Sequence, residues 1–300
     1  MTVDDQELLV DGTPVARYVL APDLDATHGP RPYLHPVRTL AGTRVTDALP
    51  ADHVWHLGAS LAVQDVNGTN LWGGRTYVRD LGYTWRADHG RIVHAGWHHR
   101  STDRLDHLLH WCDPSGAVLL TERRTLTATA VPEQADAPGR DRDGAPSSAP
   151  ARGGAWRLDV DSVLTAPADR DVVLGSPATN GRPGGAGYGG FFWRAVTGEP
   201  PEVFTATGVG EETVNGCADP WLAMTGRSPE GGAYTLVFSG LGPGDRWFVR
   251  TTMYPGVCVA FAFARTATIP AGTSRRNHYR VVVADGTLTS HTAAALADLR

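Results

Sequence analysis

Two histidines stand three residues apart in DHVWHLGASLAVQ, residues 52–64, with Asp52 leading and Trp55 between them. Imidazole titrates near neutral pH, so the pair suits proton transfer, metal ligation or a plain hydrogen bond on a sheet. A helical zinc site of the H-E-x-x-H kind needs histidines four apart around a glutamate, and this stretch has neither. On an extended strand, residues three apart face opposite ways, so His53 and His56 can share an ion only if the chain bends between them. A third ligand such as His35 is then required, giving a His35, His53, His56 site for one divalent ion, iron or zinc. All three readings stay open at this level.

Glu122 is the second candidate. In VLLTERRTL, Val118, Leu120, Glu122 and Leu126 share the apolar face of a strand, with Arg124 beside the carboxylate. A carboxylate aimed at a core must be paired, protonated or functional. A buried Glu–Arg pair and a general acid or base are the two alternatives. The third cluster is SPATNGRPGGAGYGGFFWR, residues 176–194, with six glycines between Gly181 and Gly190. Glycine lets the backbone turn sharply or approach a ligand, while Tyr188, Trp193 and Arg194 offer rings and a fixed cation. Packing of those rings into the core is the competing reading.

The elements that must position these residues have a period of two. Along HLGASLAVQ, Leu57, Ala59, Leu61 and Val63 alternate with His56, Gly58, Ser60, Ala62 and Gln64, which predicts a strand with His56 and Gln64 on its polar face. Residues 76–78, 117–130, 156–166, 234–240, 246–254 and 278–286 are likewise short, β-branched or aromatic, and punctuated by turn residues. Residues 290–300, SHTAAALADLR, predict a short C-terminal helix with Ser290 as N-cap. The expected fold is all-β, a large antiparallel β-sandwich, read as a single domain over residues 1–300 without internal repeats. Residues 132–154, rich in proline, glycine, serine and charge, are expected to be a mobile loop between two strands.

Composition removes several function classes. A net charge of −5 argues against nucleic acid, and no apolar run is long enough for a membrane span. The acidic start MTVDDQELLV is not signal-like, so a cytoplasmic protein is expected. Cys112, Cys217 and Cys258 are too few and too scattered for a metal ribbon or disulfide framework. All 27 basic residues are arginine. Without lysine there is no Schiff-base nucleophile and no Walker-type phosphate loop.

Several motifs together resemble a bacterial family of unknown function, DUF6807, which carries a methane-oxygenase-like label. They are RPYLHPVRTLAG (31–42), DHVWHLG (52–58), VNGTNLWGGRTYV (66–78), ERR (122–124), GYGGFFWR (187–194), DPWLAMTG (219–226) and WFVRTTMYPGV (247–257). The label conflicts with the absence of a membrane span, since the oxygenase subunit in question is a membrane protein. The resemblance implies an all-β sandwich akin to the large supersandwiches of sugar mutarotases, while aromatic faces with arginine and carboxylate nearby suit a sugar-like substrate. In such a fold the histidines and Glu122 would line one polar groove. In similar sequences the positions of Leu57, Thr69 and Asn215 are often polar or histidine, which raises the prospect of a changed activity in this chain.

These observations lead to an expected cofactor-independent enzyme acting on a sugar-like or other polar small molecule by histidine/carboxylate acid–base chemistry. Hydrolysis, β-elimination and epimerisation are the candidate reactions. His56 is the expected base or acid, His53 and His35 its partners, Asp52 the group orienting an imidazole, and Glu122 the complementary acid. Arg194 is expected to fix a substrate oxygen, with Trp55, Trp72, Tyr188, Trp193 and Asn70 around the substrate. The alternatives are a non-catalytic carbohydrate-binding sandwich and the three-histidine metal enzyme. Exposed sheet edges would suit a homodimer.

Overall fold

Alternating β-branched and aromatic residues, interrupted by glycine, proline and aspartate, give short strands joined by tight turns. The structure, a computed structural model, describes residues 5–132 and 154–299. Two large antiparallel sheets dominate it. The first has seven strands in the order Gln6–Val10, Thr13–Val19, Tyr33–Val37, Ala59–Ala62, Gly190–Arg194, Gly256–Ala260 and Arg246–Arg250. The second has eight, in the order Glu202–Thr205, Trp221–Arg227, Ala233–Ser239, Ser274–Asp285, Ala155–Thr165, Val118–Val131, Arg104–Cys112 and Arg91–Arg100. The expected β-sandwich is what the chain forms. The strands flanking the expected 132–154 loop pair with each other from Thr121 opposite Thr165 to Val131 opposite Ala155. The loop itself, apart from its two end residues, lies outside the described residues.

Strand alternation sends one set of side chains between the sheets. Leu61, Phe191, Trp193, Trp247, Val249, Val257 and Val259 meet Leu105, Leu109, Trp111, Leu126, Leu158, Val281 and Val283 there. Trp193 is fully buried in this layer and donates its indole N–H to the Val45 carbonyl at 3.1 Å. It packs the core, so its expected role as a substrate contact is withdrawn.

The opposite face of the seven-stranded sheet is covered too. Ala62, Phe192, Phe248, Cys258 and Ala260 cluster there with Trp72, Tyr188 and Tyr254. Each fully buried ring is worth about 1.5–3 kcal/mol relative to exposure. This corrects the expectation of a polar face in HLGASLAVQ, because His56 and Gln64 are each only 1% exposed. The strand also spans just Ala59–Ala62, and its four residues are all buried. On the eight-stranded sheet the outer face is closed by the helix Ser290–Ala297, whose Ala293 and Leu296 pack on Trp221, Ala223, Val237 and Val282. Its N-cap is Thr289, one residue before the expected Ser290, with the Thr289 hydroxyl accepting from the Thr292 N–H.

Candidate functional site

The loop before Ala59 folds back on itself: the Leu49 N–H donates to the His56 carbonyl, and the His56 N–H to the His53 carbonyl, both at 2.9 Å. This is the bend that a shared histidine site requires, and it stacks the His53 and His56 rings 4.7 Å apart at an interplanar angle of 12°. The loop is anchored to the end of the Gly190–Arg194 strand by two backbone bonds, Arg194 N–H to Gly58 O and Asp47 N–H to Arg194 O. Arg194 therefore sits beneath the turn. Its guanidinium reaches both Asp52 oxygens at 3.1 Å and His56 Nδ1 at 3.2 Å.

Those bonds settle the roles of the ring nitrogens. A guanidinium can only donate, so His56 Nδ1 is the acceptor and the neutral ring carries its proton on Nε2. Burial first, then the charges of His53, Arg194 and Arg31, hold the His56 pKa well below its ordinary value, so the ring stays neutral. His53 is arranged the other way. Its Nδ1 lies 2.8 Å from Asp52 Oδ2, which takes the N–H and leaves a lone pair on Nε2. Burial raises the Asp52 pKa, but the His53 bond and the Arg194 charge outweigh it and keep the carboxyl below its usual range. An oriented imidazole with a free lone pair thus stacks on a neutral imidazole with a free N–H, and neither Nε2 has a partner among the described residues.

Both rings line a cavity of about 420 Å³ on the outer face of the seven-stranded sheet. Its other walls include Trp55, Trp72, Tyr83, Trp85, Tyr188, Phe248 and Tyr254, together with Arg75, Arg182 and Arg250. The walls come from turns that glycine makes possible. At Gly74 (φ +68°) a Cβ would stand 2.6 Å from Cε2 of Trp55, so only glycine lets that indole lie on the backbone. Asn70 is fully buried, and its Oδ1 accepts from the Trp72 and Gly73 N–H groups at 3.0 and 2.9 Å. It shapes the wall from behind and does not line the cavity, which corrects its expected substrate contact. Arg31, fully buried with no carboxylate beside it among the described residues, donates to Gly29 O, Trp72 O, Trp55 O and Ser60 Oγ at 2.7, 2.9, 3.1 and 3.1 Å. Burial above all lowers its pKa to about 9. Tyr188 is held by Gln64 Nε2 at 2.9 Å and by the Tyr83 hydroxyl at 3.0 Å.

Of the expected residues, the structure brings Asp52, His53, His56, Trp55, Trp72, Tyr188 and Arg194 together, with Arg194 behind His56 rather than in the wall. Two others lie elsewhere. His35 bonds Thr46 Oγ1 at 3.0 Å and does not line the cavity. Its pKa is lowered to about 4, by burial first and then by Arg44. It cannot join His53 and His56 as a third ligand, and no group of three or more metal-binding side chains is gathered among the described residues.

Glu122 lies in the eight-stranded sheet, fully buried, with every acceptor position used. Its Oε1 accepts from Arg124 Nε and Ser162 Oγ, both at 2.8 Å, and its Oε2 from Arg124 Nη2 at 2.7 Å and Trp111 Nε1 at 2.8 Å. Arg124 continues to the Tyr18 hydroxyl at 3.1 Å, which meets His107 Nε2 at 3.0 Å. The groove joining the histidines to Glu122 is therefore not formed, because the two groups belong to different sheets. Leu57 is fully buried, Thr69 packs near Gly90, and Asn215 bonds Gly185 O and the Val249 N–H. None of these three lines the cavity.

Sequence reasoning missed Arg75, Tyr83, Trp85, Arg182, Phe248, Arg250, Met253 and Tyr254. The stretch 246–254 reads as one strand, yet the strand stops at Arg250 and Met253 and Tyr254 fold over the cavity. A signal existed in the RWFVR alternation, where Trp247 and Val249 face the inter-sheet core and the remaining arginine, phenylalanine and arginine face the other way.

Among the described residues no helix is long and apolar enough to cross a membrane. No functionally curated protein matches the chain. The model of DUF6807, a family of unknown function, matches residues 5–298, so the chain that builds this cavity belongs to that family.

Proposed function

We propose that the cavity is the active site of an enzyme that moves a proton on a polar small molecule, with His53 as base and His56 as hydrogen-bond donor. The observation that supports this most is the complementary pair of ring states: Asp52 leaves His53 with a lone pair, while Arg194 leaves its stacked neighbour His56 with an N–H. This narrows the expectation: His56, expected as base or acid, takes the electrophile's part, and its expected partner His53 becomes the base. A neutral imidazole in such a place can polarise a carbonyl.

In this reaction His53 Nε2 takes a proton from a carbon next to a carbonyl, and the resulting imidazolium is stabilised by Asp52. The electron pair moves onto the carbonyl oxygen, which accepts from His56 Nε2–H. Collapse with the proton returned to the same face gives only hydrogen exchange; protonation of the enolate on its opposite face gives epimerisation, and expulsion of a group from the β carbon gives elimination. Glycoside hydrolysis in its usual form needs two carboxyl groups across the bond, and among the described residues no aspartate or glutamate lines the cavity. Elimination or epimerisation is therefore the better reading, and hydrolysis the weaker.

Deuterium uptake tests it. Ligands shown to bind the cavity are incubated with the protein in D₂O, and exchange at carbon is followed by NMR. His53→Gln is expected to slow exchange by ~10²–10⁴, and Asp52→Asn by a smaller factor while binding persists. Bound ligands with acidic C–H groups that never exchange would refute the reading, and exchange undiminished in His53→Gln would remove His53 as the base.

A further inference from the structure

The lining of this cavity carries a second message, about what enters it. Three arginines reach it, and each lies over an aromatic face: Arg75 over Trp85 at 5.8 Å, Arg182 over Tyr83 at 4.8 Å and Arg250 over Phe248 at 4.4 Å. Stacking fixes the direction of a guanidinium without neutralising it. Arg250 has a carboxylate nearby, Glu211 at 3.6 Å. Arg75 and Arg182 form no ion pair among the described residues, although Arg182 donates to the Tyr83 hydroxyl. Among the same residues, no acidic side chain lines the cavity to balance them. In a chain of net charge −5 this local excess of positive charge stands out, and low-dielectric walls would concentrate its field.

The rest of the wall is aromatic. Trp55, Trp72, Tyr188, Phe248 and Tyr254 form its inner part. At the mouth, Trp85 is 52% and Met253 65% exposed. Large apolar groups left open at a cavity mouth suit the apolar body of a ligand. A neutral sugar would use the rings and accept hydrogen bonds, but would leave the charges of Arg75 and Arg182 without a counter-charge.

We infer that the ligand is an aromatic anion: a flat ring system seated among the tryptophans and tyrosines, with a carboxylate or phosphate head received by Arg75 and Arg182. This deepens the acid–base reading and rests on it only in placing the reacting carbon near His53; binding alone does not need it. It also replaces the expected sugar-like substrate with a different class.

The experiment measures binding of 2-naphthoate, 2-naphthamide, 2-naphthyl phosphate and glucose, by calorimetry and by quenching of tryptophan fluorescence. The expected result is that naphthoate or naphthyl phosphate binds at least about tenfold tighter than the isosteric amide, as one charge-assisted contact would give. Whichever of the two anions binds tighter identifies the head group. The preference should weaken with salt, and it should vanish in the Arg75→Gln/Arg182→Gln double variant, with its melt compared with the wild type to confirm folding. Equal binding of amide and anion, tighter binding of glucose, or an anion preference that survives in the folded double variant overturns the inference. Followed with 2-naphthylpyruvate, an anion of the same ring whose CH₂ lies next to a carbonyl, His53→Gln separates the two readings, because it should keep the anion preference while losing deuterium exchange. Retained preference with no exchange even in the wild type sinks the acid–base chemistry and leaves the aromatic anion standing.

Discussion

The knot around Glu122 and the cluster around Asp52 contain the same kinds of group: a carboxylate, an arginine, a tyrosine and histidines. In the knot, four donors meet the two Glu122 oxygens and the side chain is wholly buried. Burial alone would pull the Arg124 pKa down, but Glu122 and Tyr18 outweigh it and raise it. In the cluster, Asp52 is 42% exposed at its side chain, and two imidazole nitrogens are left without partners among the described residues beside a cavity. A polar group whose capacity is exhausted inside the core holds the fold together. One with capacity to spare at a cavity wall is available for chemistry.

The largest expected effect breaks the knot. Glu122→Ala leaves the Arg124 charge buried and unpaired, and should cost about 3–5 kcal/mol in urea unfolding. Replacing both residues together, Glu122→Met with Arg124→Met, should cost much less than the single change, since a buried pair often yields to apolar groups of similar volume. A double variant as unstable as the single one would show that the pair contributes more than mutual neutralisation.

Next comes pH. His35, His56 and His107 all have folded-state pKa values below the ordinary 6.5, each through burial first. The unfolded chain therefore binds more protons than the folded one as pH falls, so stability is full above about pH 6.5 and erodes below it. For His35 the loss runs from 6.5 down to about 4; for His107 it continues to about 2. Melting temperatures measured from pH 7 to 4 should fall steadily, and His35→Gln should flatten the upper part of that decline. A flat profile contradicts the neutral state assigned to these rings.

The smallest effect sharpens the contrast from the other side. Asp52→Ala takes a half-exposed carboxylate away from the buried Arg194 and should cost about 1–2 kcal/mol, less than Glu122→Ala, while the same change should weaken His53 as a base. If its cost approached that of Glu122→Ala, the cluster would be scaffolding of the same kind as the knot.

The sandwich was legible because alternation survives wherever one face meets the inter-sheet core, as in residues 117–130 and 156–166. It misled at Ala59–Ala62, where loops bury the second face as well and small residues there look solvent-facing. The Asp52–His53–His56 cluster could be picked out by residue type, but the protonation of His56 depended on Arg194, more than a hundred residues away. Glu122 was correctly expected among apolar side chains, and only the contacts of both its oxygens decided between pair and catalyst. Of the cavity arginines, Arg75 and Arg182 sit on separate loops and Arg250 at the end of a strand, and no local pattern announces that they converge.

Arg31 also matters before any guest arrives. By clasping the carbonyls of Gly29, Trp55 and Trp72 at once, it fastens three separate stretches of backbone into one panel. A receptor framed in advance has little ordering left to do, so the entropic toll of docking falls mainly on the guest.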